Sequence, residues 1–148
     1  MTQPKYYSYP GLGEWAKENF HYSQAIRIGD RILCSGQGGW NPKPDKIDFE
    51  NLVPEDVAAQ VDQAFANCDM NVRHAGGGRG LAQAYKVVTY ATDLAAAHEH
   101  IVRNLRRWMP ENPPIWTELG VAALGAPGMK FEIDVEAYDP EGAKKELA

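Results

Sequence analysis

The chain has 148 residues, of which 44% are hydrophobic and 24% charged, with 15 Lys and Arg against 20 Asp and Glu for a formal charge of −5. That length supports one domain with a real core, and the apolar share excludes a disordered chain. The acidic balance argues against a protein built to grip a phosphate backbone, so no nucleic-acid partner is expected.

The stretch Met1 to Tyr7 lacks the apolar centre of a secretory signal. No apolar run approaches the ~20 residues that span a bilayer. The expectation is a soluble protein with no membrane partner, cytoplasmic in location, with a mitochondrial one as the alternative. Residues 1–20 carry Tyr6, Tyr7, Tyr9, Trp15 and Phe20 among turn formers. They read as an arm packed on the domain, because so many rings are seldom left in water.

Gln24 to Ile28 and Arg31 to Gln37 are β-rich runs flanking Gly29-Asp30, which predicts a hairpin with a type I′ or II′ turn. Residues 38–53, broken by Pro42, Pro44 and Asp45, read as loop. Val57, Val61, Ala64, Phe65, Cys68, Val72 and Ala75 then recur at helical steps. A helix is predicted with Pro54 at its first position, Glu55 and Asp56 at its positive end, and a stop at Gly76.

Tyr85 to Thr92 is β-branched and aromatic, hence a strand. Asp93 can cap a second helix with Leu94, Ala97, Ile101, Leu105 and Trp108 on one face. Strands are predicted over Ile115 to Leu124 and Met129 to Tyr138, joined by a Gly125–Gly128 turn, and the charged tail 139–148 is expected to fray. The order is β-hairpin, α, β, α, β, β. It predicts an α+β fold, one mixed sheet with two helices on one face. The other face would lie bare, the usual mark of a partner subunit.

Several motifs have plain structural readings. Cys34 and Cys68 read as reduced core thiols. Gly76 to Gly80 follows a helix rather than preceding one, so it reads as a C-cap and connection, not a phosphate cradle. His98 and His100 point about 200° apart on a helix and cannot share an ion, so no metal is expected. Arg103, Arg106 and Arg107 complement a helix C-terminus.

Two regions carry chemistry. In the last strand Glu132, Asp134 and Glu136 alternate with Phe131, Ile133 and Val135, placing three carboxylates on one face. This is either a solvated face or, beside a pocket, an acid–base site. If this strand pairs with the preceding one, Glu132 or Asp134 would meet a wall made partly of Trp116, and an indole neighbour raises a carboxyl pKa. Near the hairpin, the glycine in Ser35-Gly36-Gln37 marks close backbone approach, and the hydroxyls of Tyr22 and Ser35 could hold a carboxylate ligand.

His21-Tyr22-Ser23-Gln24-Ala25, Gly29 and Ser35-Gly36-Gln37 resemble the N-terminal signature of the Rid/YjgF family, the reactive-intermediate deaminases also labelled endoribonuclease L-PSP. Ala64 to Asn67, Ala75-Gly76 and Val87 to Asp93 resemble its first helix, following loop and third strand, and Phe131 to Ala137 its C-terminal signature. The likeness spans 21–138, between the aromatic arm and the charged tail. It implies a chorismate-mutase-like subunit in a homotrimer, with the sheets facing inward and small-molecule sites between subunits. It also implies hydrolysis of small enamines or imines to a keto acid and ammonia, with no cofactor. Carried over by position, Tyr22 and Gly36 would line the cleft and Glu132 would position the attacking water.

One position departs from the pattern. Pro114-Ile115-Trp116-Thr117 keeps the proline and the threonine of a motif whose arginine pairs with the substrate carboxylate, but puts Trp116 in its place. An indole has one N–H donor and no charge. With Trp116 and Thr117 at the ligand, preference is expected to shift toward larger, flatter or less anionic metabolites, carboxylate or aromatic, that stack on the ring. Deamination of an enamine, imine or aminomuconate-like metabolite is the leading expectation. A metabolite-binding or chaperone-like protein without turnover is the alternative, and an endoribonuclease ranks last.

Overall fold

A computed structural model describes residues 3–147. In chain order these form β1 (Lys5–Tyr7), α1 (Leu12–Phe20), β2 (Ala25–Ile28), β3 (Arg31–Cys34), β4 (Gln37–Gly38), α2 (Val57–His74), β5 (Ala84–Ala91), α3 (Leu94–Trp108), β6 (Ile115–Gly120), β7 (Phe131–Tyr138) and α4 (Pro140–Leu147). No helix among them is long and apolar enough to cross a membrane.

The sheet is built on β7, whose period-two pattern is the cleanest in the chain. Phe131, Ile133, Val135 and Ala137 are buried, while Glu132, Asp134 and Glu136 are half-buried on the other side. The strand order is β1-β2-β3-β7-β5-β6, with β4 also pairing with β7. The β5–β6 pair is parallel and the others are antiparallel. The single parallel pair follows from its connection, because α3 must carry the chain back across the sheet before β6 can start.

The apolar stripes of α2 and α3 cover one face of the sheet. Val61, Ala64, Phe65, Cys68 and Val72 of α2, with Ala97 and Ile101 of α3, join the buried side chains of β5 and β7 in one core. The Phe65 and Phe131 rings lie nearly parallel with centroids 6.1 Å apart. Burying each such side chain contributes roughly 1.5–3 kcal/mol. Both cysteines are free and buried in this core, and the Cys34 contact and burial push the Cys68 thiol well up.

The Gly29-Asp30 turn joins Ile28 to Arg31 in direct register. Only Gly29 has positive φ there, at 59°, which selects the II′ alternative. Helix α2 starts three residues later than the sequence suggests. Pro54 lies outside it, and Asp56 is the cap, accepting from the Ala59 N–H at 2.9 Å. Its C-terminus closes with a pair of bonds, Gly76 N–H to Arg73 O and Gly77 N–H to Val72 O, both 3.0 Å. Asp93 caps α3 as expected, accepting from the Ala96 N–H.

Three expectations need correction. The strands carrying Trp116 and Glu132 do not pair, because β5 lies between them. The stretch after Gly120 leaves the sheet, and Ala126 and Met129 pack instead with Tyr9, Leu12 and Trp40 in a second small core. The tail is ordered as α4, because Asp139 accepts from the Gly142 N–H at 3.1 Å and Pro140 suits a first turn. Of the expected arm 1–20, residues 5–20 supply β1 and α1, while residues 1, 2 and 148 lie outside the described part.

A buried ion pair ties these pieces together. Arg27, on the covered face of β2, meets Asp139 at 2.5 Å, and both side chains are almost fully buried. The guanidinium also donates to the carbonyls of Ala75, Gly29 and Asp139. The second Asp139 oxygen accepts from Gln83 Nε2 at 2.8 Å. Burial alone would raise the Asp139 pKa, but the bonds from Arg27, Gln83 and the Gly142 N–H outweigh it and hold the group below its ordinary value.

Removing one partner leaves the other charged and buried. Arg27→Met is therefore expected to cost about 3–5 kcal/mol in urea unfolding, and the double variant Arg27→Met/Asp139→Leu less than the sum of its singles. With the native pKa depressed, the stabilisation from Asp139 is complete above its unfolded pKa of about 3.9 and is lost as pH falls through the native one. Asp139→Asn should flatten the wild-type stability profile in that acid window.

Candidate functional site

Beside the second small core, a cavity of about 290 Å³ opens onto the face of the sheet that α2 and α3 leave uncovered. Tyr22, Ser35, Gly36 and Glu132 all line it. Four of the six residues singled out from sequence therefore meet in one place. Trp116 and Thr117 do not. Trp116 is on the helix-covered face, its Nε1 donates to Thr89 Oγ1 at 2.9 Å, and its ring stacks on His98 of α3 at 5.8 Å. Thr117 is exposed on the open face but two strands away from Glu132, beyond β5.

Glu132 reaches the cavity because β7 alternates. Its two neighbours on the same face are already engaged: Asp134 accepts from the Tyr90 hydroxyl at 2.7 Å, and Glu136 from Tyr85 at 3.3 Å with Lys86 3.5 Å away. The bond to Asp134 is the main reason the Tyr90 hydroxyl is pushed up to about 12. Glu118 is on the opposite face and meets His98 at 2.9 Å. Among the described residues no group hydrogen-bonds the Glu132 carboxyl. Burial, and secondarily the charge of Asp134, raise its pKa. It is thus a stronger base than a free carboxylate, and its oxygens are open to whatever fills the cavity.

Gly36 is what lets that carboxyl lie where it does. A Cβ built on Gly36 would collide with Glu132 Oε1 and its carboxyl carbon. Any other residue would push the carboxyl off the strand, so the glycine is required by close approach rather than by an unusual φ.

Beneath the cavity a chain of buried amides fixes the hairpin. Gln37 Nε2 donates to Gln24 Oε1 at 2.8 Å, and the Tyr9 hydroxyl donates to Gln37 Oε1 at 2.8 Å while accepting from Trp40 Nε1 at 3.1 Å. Asn71 of α2 donates to the Gln24 carbonyl at 2.9 Å, as does Ser35 Oγ at 3.1 Å. Burial holds the Tyr9 hydroxyl far above its ordinary pKa, so it stays a donor.

The walls were not singled out from sequence. Trp15 and Phe20 of α1, Trp40, Phe49 and Leu52 of the 38–53 loop, and Met129 line the cavity. Phe20 meets Trp15 and Phe49 edge-on, with centroids 5.1 and 5.5 Å away. The signal was present: a loop carrying Trp40, Phe49 and Leu52 is too apolar to lie in water. A shallower hollow of about 480 Å³ adjoins on the open sheet face, sharing Tyr22 and Ser35 and including Tyr6, Ile26 and Leu33.

Comparison with known proteins matches this architecture. The family model described as endoribonuclease L-PSP covers residues 16–139. The RutC family protein YjgH of Escherichia coli K12 is 34% identical over 122 residues, 81% of this chain and 84% of that protein. A solved structure of protein YjgH superposes with a TM-score of 0.69 at 30% identity, covering 92% of this chain and 95% of that one. Rv2704 of Mycobacterium tuberculosis, described as a member of the YjgF/YER057c/UK114 family, gives a TM-score of 0.71 at 24% identity, covering 92% and 99%. Signature residues, sheet order and these matches agree: the chain belongs to the Rid/YjgF family, also described as endoribonuclease L-PSP.

Proposed function

We propose that the protein hydrolyses a small imine, or the enamine that tautomerises to it, with Glu132 as the proton-transferring base. The observation that carries this reading is a half-buried carboxyl of raised pKa with no hydrogen-bond partner among the described residues, facing a cavity beside Tyr22, Ser35 and Gly36. Glu132 takes a proton from a water as the water oxygen bonds to the imine carbon, and the C=N electron pair moves to nitrogen. The nitrogen takes up that proton to give the carbinolamine; Glu132 then relays the hydroxyl proton to the nitrogen as the oxygen lone pair forms C=O and the C–N bond breaks, leaving a carbonyl compound and ammonia. Tyr22 and Ser35 offer hydroxyls to orient the reactant. Cleavage of RNA is disfavoured, because the chain is acidic overall.

The same reading includes a homotrimer. Tyr6, Ile28, Ile115, Leu119 and Tyr138 are between 42% and 67% exposed and all lie on the open sheet face. An apolar face of this kind is covered by further copies in a symmetric assembly. The hollow shared by Tyr22 and Ser35 opens onto the same face, which supports a site completed at a subunit boundary.

Three outcomes are expected. Glu132→Gln should lower ammonia release from any imine that the wild type turns over by at least about 100-fold, and unchanged turnover would remove Glu132 from the mechanism. The same variant should unfold at a higher temperature than wild type at pH 7. Because the native Glu132 pKa is raised, stability falls as pH climbs from the ordinary carboxylate value through the native one, and the difference should vanish below about pH 4. Leu119→Asp should convert a trimer to monomers in light scattering, whereas a wild-type monomer would refute the assembly.

A further inference from the structure

We infer that this cavity selects a protonated amine or imine that carries an aromatic or apolar group and no carboxylate. The inference rests on the hydrolytic reading only for the location of the site. Charge argues for it first. Glu132 is the one charged side chain among the described residues of the lining, while Lys17 and His21 line the adjoining hollow rather than this cavity. A carboxylate ligand would bring a second negative charge against it in a partly dehydrated space, whereas an ammonium or iminium supplies the missing partner. The chain position at which the family pattern has its arginine offers no rescue within the subunit, since Trp116 faces α3 and its N–H is committed to Thr89.

The walls argue in the same direction. Five aromatic residues, Trp15, Phe20, Tyr22, Trp40 and Phe49, share the cavity lining with the carboxyl. Ring faces attract organic cations, and a carboxylate set among aromatic rings is the usual chemistry for holding them. A cavity of about 290 Å³ exceeds the ~150 Å³ that admits one benzene, so a single ring with a short amine arm fits. Two of these rings, Trp15 and Phe20, come from α1.

The test is calorimetric titration of the wild-type protein at pH 7.5 with three probes of one shape: 2-phenylethylammonium, 2-phenylethanol and 3-phenylpropanoate. The ammonium is expected to bind at least about ten-fold tighter than either of the others. Glu132→Gln should erase its advantage over the alcohol, and Phe20→Ala should weaken ammonium and alcohol alike. Propanoate binding as tight as ammonium binding, an advantage that survives Glu132→Gln, or no saturable ammonium binding at millimolar concentration would each overturn the inference. None of the probes contains a C=N bond, so binding is read independently of turnover. Ammonium selectivity without ammonia release from any imine would sink the hydrolytic reading alone.

Discussion

Two glutamines buried amide to amide impose the geometry on which the site depends. Gln24 and Gln37 are both essentially inaccessible, so each amide must find its partners inside the protein or cost a few kcal/mol. Satisfying them draws in Tyr9 from the segment before α1 and the Ser35 carbonyl from the end of the hairpin, and Trp40 from the following loop bonds Tyr9 in turn. A hydrogen-bonded chain of this kind tolerates little displacement, since a shift at one member strands the next. The hairpin end, the N-terminal segment and the loop therefore settle together, and the cavity is the space left between them and β7.

The charge pattern on β7 shows how one repeating sequence yields three different groups. Glu132, Asp134 and Glu136 share a face and a spacing, yet their neighbours on β5 differ. Tyr90 and Lys86 stand opposite Glu132 and Glu136 in register, with Tyr85 beside Lys86 at a bulge. The Tyr90 hydroxyl reaches diagonally to Asp134 instead, so β5 leaves Glu132 without a donor. A bulge and a diagonal bond thus separate one unengaged carboxyl from two engaged ones.

Much of this was legible in the sequence. The period of two in 131–138 and the helical steps in 57–75 are local, and both survive in the fold with shifts of one to three residues. Gly29, Asp93 and the Ser35-Gly36-Gln37 run declare their roles through backbone chemistry that needs no distant partner. What escaped was non-local. The order of strands places β5 between β6 and β7, and no pattern within either strand encodes that. Trp116 was accordingly expected beside Glu132, although parity turns it toward α3. The short β1 and α1 hold too few residues for a period to stand out, and α4 depends on a cap whose own charge is fixed by Arg27, more than a hundred residues earlier.

The position of β6 at the rim of the sheet has a bearing on handling. One of its sides pairs with β5, and the other presents unsatisfied backbone groups beside exposed Ile115 and Leu119. Pro113 and Pro114 directly before it and Glu118 along it are the sort of guards that discourage strand-to-strand growth. The opposite rim, β1, is short and carries the Lys5–Glu146 pair. The sheet is thus better guarded along its face-to-face packing than along the β6 rim, and strand-to-strand aggregation would start from that rim.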